Sequence, residues 1–408
     1  MKCRHCQSET SVPLADLGSS PPSNAYLTAD GLRAPEKWYP LTVLVCSSCW
    51  LAQTEDYAGR EELFSADYAY FSSFSSSWLE QCREYASQMT QRFALNADSR
   101  VAEIAANDGY LLQYFQQTGI PCFGVEPTSS TANAARRKGL EVFEDFFGAR
   151  LGRELADKGY RSDLMVANNV LAHVPDINDF VSGFRHLLKP GGVATFEFPH
   201  LYRLVTESQF DTIYHEHFSY LSLSATKRIF ESNGLAIFDV EELPTHGGSL
   251  RVYAQHSDTG RHPVGDRVGA MLSLESEAGM SSPAFYTGFQ RKVIDIKHEL
   301  LGFLLAARAR GEKVVAYGAA AKGNTLLNFS GVRPDLIEYV IDRNPAKQGK
   351  YLPGSRIPVV AEERLTLDKP PWILILPWNI RDEVAGQLAY ARDWGARFVT
   401  AVPRLTTF

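Results

Sequence analysis

Residues 211–220 read Asp-Thr-Ile-Tyr-His-Glu-His-Phe-Ser-Tyr. Two imidazoles flank one carboxylate, with phenols on either side and a second carboxylate ahead of them. Three readings fit: a metal site built on His215-x-His217, an acid/base cluster, or an exposed strand. A histidine titrates near neutrality and suits a general base. In an extended strand, Ile213, His215 and His217 would share one face, and Tyr214 and Glu216 the other. A single proton-handling site therefore requires a bend or loop here.

A metal has better ligands elsewhere. Cys3-x-x-Cys6 and Cys46-x-x-Cys49 form two pairs about 40 residues apart, the usual way to set four thiolates around one tetrahedral Zn²⁺. Four sulfur ligands leave no open position, so the zinc is structural rather than catalytic. A redox pair would need only one of the two motifs. The intervening Pro- and Ser-rich segment 13–27 is expected to have little core of its own, and a metal would supply the missing stability. His5 lies inside the first knuckle as a bystander, and Cys82 and Cys122 are expected to be packed thiols.

Beyond a helical pattern marked by Trp78, Tyr85 and Met89, the segment 100–126 reads as a βαβ unit. A strand over 100–105 leads into the turn Asn107-Asp108-Gly109, a helix over 110–117, and a strand over 122–125 that ends at Glu126-Pro127. A pyrophosphate would call for a glycine-rich loop at a helix N-terminus. Glu103 to Gly109 instead holds one glycine and two acids, which suits a cofactor with a positive centre and no phosphate. Glu126 stands where a carboxylate commonly meets ribose hydroxyls. S-adenosylmethionine fits both features, and NAD is disfavoured by the missing glycines. A further strand ends at Asn168-Asn169, followed by a loop with His173. A helix, a Leu-Lys-Pro-Gly-Gly turn and another strand follow, a run frequent in Rossmann-like methyltransferases.

A second βαβ series begins near residue 313. Gly318-Ala-Ala-Ala-Lys322-Gly-Asn324-Thr325 offers small residues, a lysine and a helix N-terminus, an anion site by geometry, though not a Walker loop. The next strand ends at Asp342, and Arg343, Lys347 and Lys350 add positive charge. A domain with only a packing role is the alternative.

The 408 residues carry a net charge of −6 and are 45% hydrophobic. That length favours two or three domains, and the charge gives no basic footprint for nucleic acid. No apolar run of about 18 residues suggests a membrane span. No secretory signal is evident, so a cytoplasmic location is expected.

Taken in order, CxxC…CxxC, EIAANDGYLL, GVEP, ANNVLAHVPD, DTIYHEHFSYLS, HGGSLRVY, YGAAAKGNT, DRNPAKQGKYLPG and LILPWN resemble the zinc-containing nucleotide-sugar C-methyltransferases over essentially the whole chain. Ala106 departs from the Ser expected before Asn-Asp-Gly. The resemblance implies S-adenosylmethionine-dependent methylation at C-3 of a dTDP-linked 4-keto-deoxysugar, on routes to branched sugars of antibiotics and surface glycans. It implies that His217 is the base, with Tyr214, Glu216 and His173 in the active site and Tyr68 near the cofactor. His246 is expected at the sugar. Lys322, Asn324, Thr325, Asp342, Arg343 and Lys347 are expected to cradle the diphosphate and nucleoside.

The expected architecture is α/β: a zinc-binding module over 1–65, a Rossmann-like methyltransferase domain over 66–285 and a second Rossmann-like domain over 286–408. Monomer and dimer both remain open. Rival readings are an NAD-dependent nucleotide-sugar oxidoreductase or epimerase, and a nucleotide-sugar binding protein scaffolded by zinc.

Overall fold

Residues 10–20 alternate apolar and polar side chains, and they form strand β1 (Thr10–Ser20) with Val12, Leu14 and Leu17 buried. The expectation that this Pro- and Ser-rich segment lacks a core is thus corrected: its period-two pattern makes half of it a strand. β1 pairs antiparallel with β2 (Tyr39–Cys46), and β2 with β3 (Ala52–Thr54). The computed structural model describes residues 1–57, 59, 63, 71–74 and 76–408. Tyr68 and the 65/66 boundary lie outside the described residues.

The middle of the chain lays down β4 (Val101–Ile104), β5 (Cys122–Val125), β6 (Glu141–Phe143), β7 (Ser162–Asn168) and β8 (Leu188–Pro199), all parallel. Their near-continuous apolar runs suit strands covered by helices on both faces. The chain then leaves this sheet to form β9 (Ser219–Tyr220), which pairs with β3 and completes a four-stranded sheet of order β1-β2-β3-β9. It returns with β10 (Leu235–Leu243) and β11 (Ser249–His256), and β11 inserts antiparallel beside β8. The resulting order, β10-β11-β8-β7-β4-β5-β6, reverses direction between β4 and β7, which opens a crevice at their carboxyl ends.

The Pro190-Gly191-Gly192 run is not the turn expected from sequence. The helix Ile177–Leu187 ends directly in β8, and the run is a bulge inside that strand, between the pairs Ser162–Leu188 and Leu164–Val193. Gly192 is required there, because a Cβ would come within 2.9 Å of the Ser162 carbonyl oxygen.

The last part follows the long helix Phe289–Ala309. It contains β12 (Val314–Tyr317), β13 (Val340–Ile341), β14 (Val359–Val360), β15 (Trp372–Ile375), β16 (Arg397–Thr400) and β17 (Thr406–Thr407). Their order is β14-β13-β12-β15-β16-β17, parallel except for β17. The strand order reverses about β12, so a second crevice opens beside Gly318–Lys322. One apolar core joins Leu14 and Val43 of the first sheet to Phe210 and Ile213 and to Leu300, Leu326 and Leu374 of the last part. The first sheet therefore bears on both larger units, and β9 makes it the seat of residues 211–220.

Candidate active site

The four cysteine sulfurs lie within 4.8 Å of one another, with Cys3–Cys49 and Cys6–Cys46 each at 3.5 Å. Sulfurs about 2.3 Å from a tetrahedral zinc would stand about 3.8 Å apart, so the set fits Zn²⁺ without rearrangement. Two matching knuckles build it. Gln7 N–H donates to the Cys3 carbonyl and Trp50 N–H to the Cys46 carbonyl, and both closing residues, Gln7 and Trp50, take positive φ. The Cys49 thiol beside it holds Cys3 below the ordinary thiol range. His5 is turned away to Asn178 at 2.8 Å. Cys82 is buried, and Cys122 is partly so.

In the middle sheet, the turn after β4 winds tightly: Ala105, Asn107 and Gly109 all take positive φ. Gly109 has no alternative, since a Cβ would fall 2.2 Å from Leu140. Glu126, at the end of β5, fixes the turn by accepting the Asn107 N–H at 2.9 Å and the Thr128 N–H at 3.0 Å. Pro127 is partly accessible beside it.

Unmatched acceptors surround this turn. Among the described residues, Oδ1 of Asp108 and the side-chain oxygens of Asn168 and Asn169 are buried without a hydrogen bond, and the buried Glu103 carboxylate has only the Tyr110 hydroxyl and the Leu112 N–H beside it, neither in good hydrogen-bond geometry. Burial, reinforced by Asp108 and Glu126, pushes the Glu103 carboxyl well above the usual range. A positively charged ligand beside it would favour the ionised form. A crevice of acceptors with no phosphate cradle suits a ligand that brings donors and positive charge, as an amine, ribose hydroxyls and a sulfonium do.

Residues 211–220 are not an extended strand. A 3₁₀ turn over Phe210–Thr212 leads into a reverse turn closed by His217 N–H to the Tyr214 carbonyl at 2.9 Å. The bend brings Tyr214 and His217 together, ring centroids 4.0 Å apart, with His173 4.6 Å from His217 on the other side. Glu216 goes elsewhere. It is fully buried and accepts from Asn24 at 3.1 Å, and burial raises it to about 7. Its other oxygen, Oε2, is buried without a partner among the described residues. His215 is also turned back, with Nε2 near the carbonyls of Tyr39 and Pro40. The two histidines therefore do not share one metal-binding face.

His217 is held in a defined state. Its Nδ1 lies 2.8 Å from the Thr212 carbonyl oxygen, which only an N–H can satisfy. That fixes the proton on Nδ1 and leaves the Nε2 lone pair as acceptor. Burial, then His173, holds its pKa well below 6.5. The site contains a neutral imidazole of set tautomer. Burial also brings His173 down to about 4 and His246 to about 3.

His246 sits at positive φ, next to Gly247, whose added Cβ would lie 2.5 Å from the Trp378 ring. The Trp78 ring lies tilted against both His246 and Tyr110, with centroids 5.9 and 6.0 Å away. The loop of His246 thus links the crevice of the middle sheet with the last domain. Thr245 donates to Glu197, which also holds Arg251.

The last domain differs from the expected diphosphate cradle. Asn324 and Thr325 turn into the protein, donating to the Ser23 carbonyl at 2.6 Å and the Ile213 carbonyl at 2.9 Å. Asp342 accepts the N–H groups of Ala319 and Asn344, and Lys347 bonds the Ala319 carbonyl and approaches Asp342. Arg343 is exposed and paired with Glu362. Most of the expected charge is thus spent inside the fold. Lys322 differs again: it reaches out of its domain toward the His246 carbonyl, 3.4 Å away, and Asn379 Oδ1, 3.1 Å away. Sequence reasoning missed Asn24, Thr54 and Trp378, which contact the turn, and gave Asp211 no role. The one available signal was Trp378-Asn379 closing a strand.

A Rossmann-like sheet whose switch-point crevice is lined with acids and amides, joined to a four-thiolate module, defines a zinc-bearing S-adenosylmethionine-dependent methyltransferase. Comparison with known proteins agrees. Residues 3–64 match a zinc binding domain model, residues 78–240 a methyltransferase domain and residues 244–403 the C-methyltransferase C-terminal domain. The C-methyltransferase NovU of Streptomyces niveus is 32% identical over 402 residues, covering 98% of this chain and 95% of that protein. A ubiquinone biosynthesis O-methyltransferase of Chelativorans sp. is 28% identical over 95 residues, 23% of this chain and 38% of that protein. Among solved structures, the 1,6-didemethyltoxoflavin N1-methyltransferase of Burkholderia thailandensis is 17% identical with a TM-score of 0.38, covering 51% of this chain and 96% of that one. The chain belongs to the C-methyltransferase family that joins a zinc-binding domain to a methyltransferase domain and a dedicated C-terminal domain. Among the described residues no helix is long and apolar enough to cross a membrane.

Proposed function

We propose that the chain methylates C-3 of a dTDP-linked 4-keto-deoxysugar. The observation that carries this reading is His217: a neutral imidazole whose Nδ1 proton is committed to the Thr212 carbonyl, beside the cofactor crevice. Carbon acids need such a base. A proton α to a ketone can be removed only by a group placed against it, with the developing oxygen charge stabilised.

When bound, S-adenosylmethionine supplies an electrophilic methyl group and leaves as S-adenosylhomocysteine. Glu103, Asp108, Asn168 and Asn169 would hold it through their unmatched acceptors. Glu126 keeps the turn in shape, and its remaining lone pairs suit ribose hydroxyls. His217 Nε2 takes the C-3 proton of the sugar and the C–H electron pair enters an enolate. The carbon so deprotonated would face the methyl donor held by Glu103, Asp108, Asn168 and Asn169. Tyr214 and His173 flank the imidazole and orient the ring. The nucleotide would lie along the loops after β12, β13 and β15, although few of the expected cationic side chains remain uncommitted there.

The test is to incubate the enzyme with methyl-labelled S-adenosylmethionine and a panel of dTDP-4-keto-deoxysugars, and to find the labelled carbon. Label on C-3 is expected; label on oxygen or nitrogen, or none with any keto-sugar, overturns the reading.

A further inference from the structure

Proton abstraction by His217 leaves one requirement unmet: a positive group for the ketone oxygen as it becomes an enolate. We infer that Lys322, delivered from the C-terminal domain, is that group, and that its ammonium contacts the substrate's keto oxygen rather than the diphosphate. The inference rests on the keto-sugar reading above.

Four observations place it. First, Lys322 lies in the second residue of the helix Ala321–Ser330, yet its side chain leaves that domain and ends 3.4 Å from the carbonyl oxygen of His246, on the loop after β10. Secondly, Asn379 Oδ1 holds it at 3.1 Å and the Trp378 ring lies beneath it at 5.0 Å, so the ammonium is aimed rather than free to sweep. Thirdly, the same tryptophan donates to Asp211 Oδ2 at 2.8 Å, and Thr325, one helical turn along, bonds the Ile213 carbonyl. The lysine is therefore fixed to the turn that carries His217. Fourthly, it has three donors and only these two weak acceptors, and no carboxylate lies within ion-pair distance among the described residues. One donor remains for a ligand.

The surroundings agree. His173, His217 and His246 are kept neutral by burial; burial also lowers Lys322 from its ordinary value, and the Asp211 carboxylate opposes that shift and favours the ammonium. A neutral base beside a fixed cation is the arrangement that favours an enolate, because the cation stabilises the charge that develops and does not compete for the proton. A diphosphate anchor would instead face the Gly318–Ala320 backbone, where Ala319 N–H already donates to Asp342.

The half-reaction separates the two roles. In D₂O, with S-adenosylhomocysteine in place of the methyl donor, the wild-type enzyme should exchange the C-3 hydrogen of the keto-sugar nucleotide. Lys322→Met and Lys322→Gln should lower that exchange on the order of 100-fold. Binding of dTDP and of S-adenosylhomocysteine, measured by calorimetry, should be unchanged. The glutamine variant keeps a donor for the His246 carbonyl and guards against a folding defect in the methionine variant. If both variants lose dTDP affinity and exchange at the wild-type rate once saturated, Lys322 is a diphosphate anchor and the inference is overturned. If the wild-type enzyme exchanges no keto-sugar, the substrate reading itself fails, and this inference with it.

Discussion

The Thr54 hydroxyl donates to the carbonyl oxygen of His217 at 3.1 Å, joining residues 163 positions apart. One atom along, Thr54 N–H donates to the Phe218 carbonyl at 3.2 Å, and Gln53 pairs with Ser219 across β3 and β9. The strand that leaves the second zinc knuckle is therefore the strand that holds His217. Thr54 positions His217 through its backbone and does not itself reach the crevice.

Replacing Thr54 with Val removes that donor and leaves a buried carbonyl unmatched, which costs about 1–3 kcal/mol. If part of that appears in the placement of the imidazole, kcat falls several-fold while S-adenosylmethionine affinity holds. Thr54→Ser should restore kcat, since the hydroxyl alone makes the bond. Equal loss of cofactor affinity, or no rescue by Ser, would mean that the residue only stabilises the module.

The same geometry makes zinc matter at a distance. Cys46→Ser breaks the second knuckle, whose backbone continues directly into β3. The expected results are loss of bound zinc, measured by elemental analysis, and a lower unfolding temperature. A weakened protection of the Ser219 and Tyr220 amides should also appear by hydrogen exchange, because they pair with β3. Protection that survives zinc loss would separate the module from the catalytic turn.

His217 should remain an unprotonated base below the ordinary histidine range. Its pKa is held well below 6.5 by burial and by His173. Protonation on falling pH would remove the Nε2 lone pair, so the acid limb of kcat/KM should lie well under pH 6.5. A limb at or above 6.5 would contradict the buried, neutral assignment. His217→Asn should abolish solvent exchange at the sugar carbon while leaving cofactor binding intact.

Much of this was legible in the sequence, and the part that was not has a physical reason. The cysteine spacing, the βαβ segments and the crevice turn are local patterns, and Cys3 to Cys49, Glu103 to Gly109 and Asn168 sit where those patterns put them. The bend at residues 214–217 was required because Tyr214 and His217 would otherwise point to opposite faces. The supports of that bend were not legible. Asn24, Thr54, Thr325 and Trp378 reach it from segments far away in the chain; nothing local marks Asn24 or Thr54, and the patterns around Thr325 and Trp378 point to other roles. The diphosphate reading of Asn324, Thr325 and Lys347 erred for a related reason: a polar residue near a helix N-terminus can serve a ligand or the fold, and spacing does not distinguish the two. Glu216 shows the same ambiguity: its place beside two histidines suggests a catalytic partner, while one of its oxygens is taken by Asn24 and the other is buried without a partner among the described residues.

Glu216 offers the sharpest stability test. Burial raises its carboxyl from 4.5 to about 7 in the folded chain, so the native state binds a proton more tightly than the unfolded one. The stability it contributes is fully present below pH 4.5 and is lost as pH rises through about 7. A shift of that size corresponds to about 3 kcal/mol at 1.36 kcal/mol per pH unit. Glu216→Gln keeps the acceptor that Asn24 uses and cannot ionise. Relative to wild type, the variant should therefore gain stability between pH 5 and pH 8, by up to about 3 kcal/mol. Denaturant unfolding at the two pH values measures this directly. A difference between the two proteins that stays constant with pH would mean that Glu216 is already charged in the folded state, with Asn24 and the backbone of the turn supplying enough hydrogen bonds to keep it so.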